Sequence, residues 1–332
     1  MEKKPTLKTI AQLSGLAIPT VSRALGGASD ISDKTKVRVR RIADEIGYIP
    51  NRAGVRLRTG RTNVVSLVLS TDYDIMNLTA WLISSVAGGL RDTPFHLVVT
   101  PDFPDDDLLK PIKYIVETGS ADAIIINRIQ PEDPRVAYLM EQKFPFVTHG
   151  RTIWADKHAY FDYDNSAFGR NALNALAGRG RERILLIAPP AAQNYSLEMI
   201  EGVREAAEKR DVILEVAKDV TSDSHRDEIQ AFISDRLQSC VAFDGIISGS
   251  ANSTMSAIAG LEAVGCEVAK DIDVFSKETV SFLSLFRPGI LVEHEDVAKA
   301  GTFLARAAVH AARHPELPPL QYLDVPTVKI LP

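Results

Sequence analysis

Cysteine is nearly absent. Cys240 and Cys266 are the only two in 332 residues, which excludes a disulfide framework and a cysteine-rich zinc site. Long apolar runs are missing as well. No stretch approaches the ~20 residues of a membrane span, and Met1-Glu2-Lys3-Lys4-Pro5 lacks the apolar segment of a secretory leader, so a cytoplasmic protein is expected. Catalytic signatures are equally scarce. There is no P-loop, no glycine-rich dinucleotide turn, no metal-ligand spacing and no Ser-His-Asp order. The seven His are scattered, and His294-Glu295 alone is too little for a catalytic site. An enzyme is not expected, and neither is a cofactor or a metal. No internal repeat is visible.

What is present begins with charge. Residues 1–60 carry twelve Lys and Arg against five Asp and Glu, whereas the whole chain has a net charge of −5. A basic head on an acidic body is the asymmetry of a nucleic-acid arm joined to a soluble domain. Thr6 suits the N-cap of a helix running to Ser14, with Leu7, Ile10, Ala11 and Leu13 on its apolar face, and Gly15 permits the turn that follows. A second helix, from about Pro19 to Leu25, begins on a proline whose missing N–H would be unpaired there anyway. It turns Val21, Ala24 and Leu25 inward. A third, from about Asp33 to Ile46 behind the possible cap Ser32, packs through Val37, Ile42, Ala43 and Ile46.

Two short helices across a tight turn, with a packing helix, predict a helix-turn-helix DNA reader. Ile18, Pro19, Thr20, Ser22 and Arg23 then face the major groove. Arg23 can fork onto guanine or grip phosphate, Ile18 can touch a thymine methyl, and the two hydroxyls suit phosphate.

From Val64 the pattern changes to short β-rich runs alternating with helical segments. Strands are predicted at 64–69, 97–100, 123–126, 146–149, 184–187, 213–216, 245–247 and 272–275. Helices are predicted at 81–91, 111–117, 135–143, 166–177, 198–210, 226–237, 253–264 and 296–312. Repeated β-α units mean parallel, doubly wound sheets, and two such series mean two lobes.

The head motif, Thr6-Leu7-Lys8-Thr9-Ile10-Ala11 through Gly15 and then Thr20-Val21-Ser22-Arg23-Ala24-Leu25, resembles the lactose-repressor/galactose-repressor (LacI/GalR) family. Gly47-Tyr48-Ile49-Pro50-Asn51, followed by Leu57 and Thr59-Gly60-Arg61-Thr62, is similar to that family's hinge. The resemblance implies a hinge that becomes helical on DNA, with Leu57 as an apolar wedge in the minor groove. Thr6, Asn51 and Arg52 complete the DNA-facing set that it implies. Gly54 and Val55 depart from the usual hinge, and Gly54 lowers helix propensity by about 1 kcal/mol.

The body resembles the same family, so the implied fold is α/β: a two-lobed core like the periplasmic binding proteins behind an all-α helix-turn-helix head. The implied domains are 1–49 for the head, 50–61 for the hinge, 62–162 with roughly 292–324 for the amino-terminal lobe, and 163–291 with roughly 325–332 for the carboxy-terminal lobe. Ligand in such folds sits between the lobes, at strand ends.

On that basis Tyr73, His149, Arg151, Phe161, Met199, Lys277, Glu278 and Glu295 are the implied effector-binding positions. Arg151, after the strand that ends at His149, is the leading one. Phe161 either flanks the ligand or packs the core, and Asp164 suits helix capping better than ligand contact. Met199 stands where the family carries a sugar-binding Arg, and Ser276-Lys277-Glu278 stands for its Gly-aromatic-Asp; Arg151 and Lys277 are expected to replace the lost cation. Trp81 suits either the cleft border or a subunit interface.

The implied function is a dimeric transcriptional regulator, most simply a repressor of a near-palindromic operator, controlled by a small carbohydrate-like effector. The tail from Pro326 to Pro332 has no apolar heptads, so no tetramerising coiled coil is expected. The lobes alone would equally fit a sugar-binding transport component; the DNA head and the absent leader argue against it.

Overall fold

In the computed structural model, the described residues are 4–49, 54, 56, 60–71, 78–103, 106–239 and 243–326. The chain forms two compact units, Met1–Thr62 and Asn63–Pro332. Asn51, Arg52, Leu57 and Tyr73 lie outside the described residues.

The head contains α1 (Leu7–Ser14), α2 (Ile18–Leu25) and α3 (Asp33–Glu45). Thr6 caps α1 in a reciprocal box: its hydroxyl accepts the Thr9 N–H at 3.4 Å, and its own N–H donates to the Thr9 hydroxyl at 3.1 Å. Gly15 closes α1 in the left-handed region, φ +68°, and donates its N–H back to Ala11. Ser32 caps α3 by accepting the Thr35 N–H.

The three helices meet on Ile10, Val21, Ala24, Val39, Ile42 and Ala43. The larger apolar side chains contribute about 2 kcal/mol each. Two expected core residues are corrected. Val37 is 66% exposed and Val39 is buried in its place, because 39, 42, 43 and 46 keep helical spacing and 37 does not. Leu13 is 57% exposed, and Ser14 is buried beside Ile10 instead.

The core holds two parallel sheets. In the first, the strands are β1 (Val64–Ser70), β2 (His96–Asp102), β3 (Ala123–Ile126), β4 (Phe146–His149), β5 (Ala159–Tyr163) and, far along the chain, β11 (Gln321–Asp324). They lie in the order β11-β5-β4-β3-β1-β2. The second contains β6 (Arg183–Ile187), β7 (Ile213–Val216), β8 (Gly245–Ser248), β9 (Asp273–Glu278) and β10 (Leu291–His294), in the order β10-β9-β8-β6-β7.

All eight predicted strands and all eight predicted helices of the core are present. Strands β5, β10 and β11 were not predicted. Each is short and carries an acidic residue that breaks the apolar pattern: Asp162, Glu293 and Asp324. The edge position of β10 and β11 removes the need for a full apolar run.

The chain passes between the sheets after β5 and again after β10. The helix Asn165–Gly178 packs in the second lobe, while the helix Val297–Arg313 returns to the first and supplies Ala300, Phe303, Leu304 and Ala308 to its core. The crossings are tied down by backbone bonds, Asp164 N–H to Asp324 O at 2.9 Å and Glu295 N–H to Glu278 O at 2.9 Å. In the second lobe, the helices Asn165–Gly178 and Asn194–Arg210 touch through glycine: a Cβ on Gly202 would lie 2.1 Å from the Ser166 carbonyl oxygen.

Candidate functional site

The head presents the start of α2 to solvent. Ile18, Pro19 and Arg23 are exposed, Thr20 and Ser22 are half-buried, and Val21 and Ala24 anchor the helix from below. That is the arrangement by which a helix-turn-helix offers an N-terminal turn to a groove. Arg23 is ion-paired with Asp30. Both groups are about half exposed, so the pair is worth less than about 1 kcal/mol and leaves the guanidinium available to phosphate or base. Beyond α3, Gly54 and Arg56 have helical backbone, and the Gly60 N–H donates to the Arg56 carbonyl at 2.8 Å.

Between the lobes, strand ends of the first sheet face the start of the helix Asn194–Arg210. A cavity of about 100 Å³ is lined by Ser70, Asp102, Asn127, Arg128, Gln130, Arg135 and Gln193. Asn127 and Arg128 follow β3 directly, and Arg128 holds a left-handed backbone, φ +55°, of the kind found where a site constrains the chain. Arg135 is buried. It forks onto Asp133 at 2.7 and 3.0 Å and also donates to the carbonyls of Asn127 and Arg128. Arg128 reaches across to Asp223 of the second lobe at 2.7 Å.

Arg151 also joins the lobes by bridging two carboxylates: Asp162 of its own lobe at 2.7 Å and Glu198 of the second at 2.9 Å. Gly150, at φ +116° and against Ile129, makes the turn that brings Arg151 off the end of β4. Burial would depress the Arg151 guanidinium, but the two carboxylates hold it above its ordinary range. Burial, with Asp162 nearby, pushes the Glu198 carboxyl up to about 7 despite Arg151. Asp162 is also raised by burial, against the pull of Arg151.

Lys277, near the end of β9, is enclosed. Its ammonium lies 2.6 Å from Glu295, 2.8 Å from the Asn165 side-chain oxygen and over the Tyr163 ring. Burial would raise Glu295, yet Lys277 and His149, whose Nε2 is 3.8 Å away, bring it down to about 2. The second lobe adds hydroxyls from β8, β9 and the helix Ala251–Ala263: Ser248, Ser276, Ser253 and Thr254, all buried and hydrogen-bonded to one another or to backbone.

The structure therefore gathers His149, Arg151, Lys277 and Glu295 between the lobes and corrects three other expectations. Phe161 does not face the cleft. It is fully buried in the first lobe, stacked on Tyr322 at 5.6 Å and against Phe303. Met199 is fully buried in the second lobe's core, because helical rotation turns it inward and exposes its neighbour Glu198 to the cleft. Glu278 is buried as well and accepts the Leu283 N–H at 3.3 Å. Asp164 caps the following helix by accepting the Ala167 N–H at 2.8 Å. Neither do Arg151 and Lys277 act as free cations, since both are neutralised.

Ser70, Asp102, Arg128, Arg135, Gln193 and Glu198 escaped the sequence reading. The rule that ligands meet open sheets at strand carboxyl ends pointed to the first three, which end or follow β1, β2 and β3. Nothing in the letters pointed to Gln193 and Glu198.

Comparison with known proteins agrees with this architecture. The profile of bacterial regulatory proteins of the lacI family matches residues 6–51. The profile of periplasmic binding proteins and the sugar-binding domain of the LacI family matches residues 82–311. The HTH-type transcriptional regulator AglR of Rhizobium meliloti (strain 1021) is 34% identical over 209 residues, which is 61% of this chain and 58% of AglR. The chain thus spans less than two thirds of AglR's length. Two solved structures share the fold. One is a complex of the transcriptional regulator CelR with cellobiose, at 23% identity and TM-score 0.70, covering 98% of this chain and 99% of that one. The other is the Lac repressor dimer bound to operator and the anti-inducer ONPF, at 17% identity and TM-score 0.80, covering 98% and 97%. With family profiles matching both the helix-turn-helix head and most of the two-lobed core, this chain belongs to the LacI family, whose members are transcriptional regulators rather than enzymes.

Proposed function

We propose that this protein is a cytoplasmic transcriptional regulator that binds a near-palindromic operator as a homodimer and changes its operator affinity when a carbohydrate effector enters the interlobe cleft. The observation that carries the reading is the pairing, in one chain, of an exposed helix-turn-helix start, Ile18 to Arg23, with a polar cleft crossed by the Arg151–Glu198 and Arg128–Asp223 pairs. Those pairs join the lobes, so a ligand inserted between them shifts the lobes relative to each other. Differential binding to the two lobe arrangements is the coupling that regulation requires.

The first sheet's edge supports the dimer. Strand β2 exposes Val98 and Val99, and Trp81 and Tyr114 are exposed on neighbouring helices. An apolar, unpaired edge of this kind is stable in solution when covered by a second copy. Repression is the simplest output. CelR, a relative in fold, is known in complex with cellobiose, which makes neutral disaccharides the first effectors to try.

The test is selection of DNA from a random pool by the full chain at fixed moderate salt, repeated with a metabolite extract. Enrichment of a near-palindrome with a fixed centre is expected. No enriched sequence under either condition would overturn the DNA-reading function.

A further inference from the structure

We infer that the cleft, read as above as a sugar site, selects an uncharged polyhydroxylated ligand over its phosphorylated or carboxylated counterparts, with the Glu198 carboxylate accepting a ligand hydroxyl. This rests on the proposed function and narrows it to a ligand class.

Anionic sugars need an uncommitted cation, and the cations here are committed. Arg128 holds Asp223 at 2.7 Å, Arg135 holds Asp133 at 2.7 Å, Arg151 holds Asp162 and Glu198 at 2.7 and 2.9 Å, and Lys277 holds Glu295 at 2.6 Å. A phosphate or carboxylate drawn to Arg151 would displace Glu198 and leave it beside Asp162 with no other ion-pair partner among the described residues. An enclosed carboxylate left without a counter-charge opposes that exchange.

The unmatched groups are acceptors. One Glu198 oxygen, Oε2, is enclosed and takes no hydrogen bond from the described residues, while Oε1 receives Arg151 at 2.9 Å and Asn194 at 3.0 Å. The side-chain oxygen of Gln193, a residue that lines the cavity, is likewise enclosed without a donor among the described residues. Unmatched buried acceptors call for donors. A sugar hydroxyl donates and accepts at once, whereas a phosphate or carboxylate brings acceptors only. In the second lobe, β8, β9 and the helix Ala251–Ala263 continue the theme with neutral hydroxyls, Ser248, Ser276, Ser253 and Thr254. Met199, lying in the core, supplies neither charge nor donor.

The experiment is calorimetric titration of the full-length chain with two probe sets: cellobiose, maltose and raffinose as neutral sugars, and cellobionate and glucose 6-phosphate as anionic ones. At least one neutral sugar is expected to bind, with every anionic probe about tenfold weaker or worse. An anionic probe that binds more tightly than the neutral set would overturn this inference and leave the cleft standing as a sugar site. No binding by either set would overturn the sugar-site reading itself.

Glu198→Gln, nearly the same size, then tests the named residue. It is expected to weaken the neutral sugar about tenfold and to strengthen cellobionate, because Arg151 loses one of its two carboxylates. Unchanged affinity for both probes in a variant that melts like the parent would remove Glu198 from recognition.

Discussion

The head and the cleft are assembled on different length scales. The head's DNA-facing surface comes from three helices within forty residues, fixed by caps and a small apolar cluster whose members are helical neighbours. The cleft joins residues far apart in the chain, Arg151 with Glu198, Arg128 with Asp223, Lys277 with Asn165, and it is held by charge. Local, apolar order tolerates changes of pH and salt; distant, ionic order does not. The difference teaches that the two ends of the regulatory circuit respond to different perturbations, and four measurements would break or sharpen it.

The largest effect is expected from Gly202→Ala, which forces a methyl into the Ser166 carbonyl where two helices cross. It should destabilise the core by about 3 kcal/mol or more and leave the head unaffected. Calorimetry reads this as one lowered and one unchanged transition; a single lowered transition would show that head and core unfold together. Next, Arg151→Ala leaves Asp162 and Glu198 without their shared cation and should cost about 3 kcal/mol in denaturant unfolding. Effector-free DNA binding should survive while the effector response is lost, and a normal response would exclude Arg151 from the cleft's function.

The third is pH. Glu198, raised to about 7, binds its proton more tightly folded than unfolded. Its contribution is therefore complete below about 4.5 and is lost as the pH rises to about 7. Glu295, lowered to about 2, has the opposite sign: its contribution is present above about 4.5 and is lost as the pH falls towards 2. Each amounts to about 3 kcal/mol across its window. Glu198→Gln should flatten the neutral limb of a stability–pH curve and Glu295→Gln the acid limb; an unchanged curve in either variant would refute the assignment. The smallest effects lie in the head. Val39→Ala should cost about 2 kcal/mol, and Val37→Ala, two residues earlier on the same helix, less than about 0.5. Equal melting shifts would restore Val37 to the core.

Legibility in the sequence followed the same division. The head's elements, its Thr6 cap and its Gly15 turn were readable because each depends on neighbours within one or two turns. The core's strands were readable where an apolar run marks them, as in Ala123–Ile126, and were missed at Gln321–Asp324, where polar and acidic residues flank two apolar ones. The cleft was legible in outline only. Residue type and position marked Arg151 and Lys277 as cations near the ligand, but their neutralisation by Glu198 and Glu295 is a tertiary fact. Rotation by one position on a helix, which exchanges Met199 for Glu198, lies below the resolution of a motif match.

The amino-terminal lobe is divided along the chain. Strand β11 pairs with β5 across more than 150 positions, and the helix Val297–Arg313 fills the core beneath them, whereas the second lobe is continuous from Asn165 to His294. On the ribosome, which releases the chain from its amino terminus, the head can fold first and the second lobe next. The first lobe waits longest, with the edge of β5 and the underside of its sheet uncovered until the last strand emerges. That interval, rather than any weakness of the finished molecule, is where this protein is most exposed to misassembly and to chaperones.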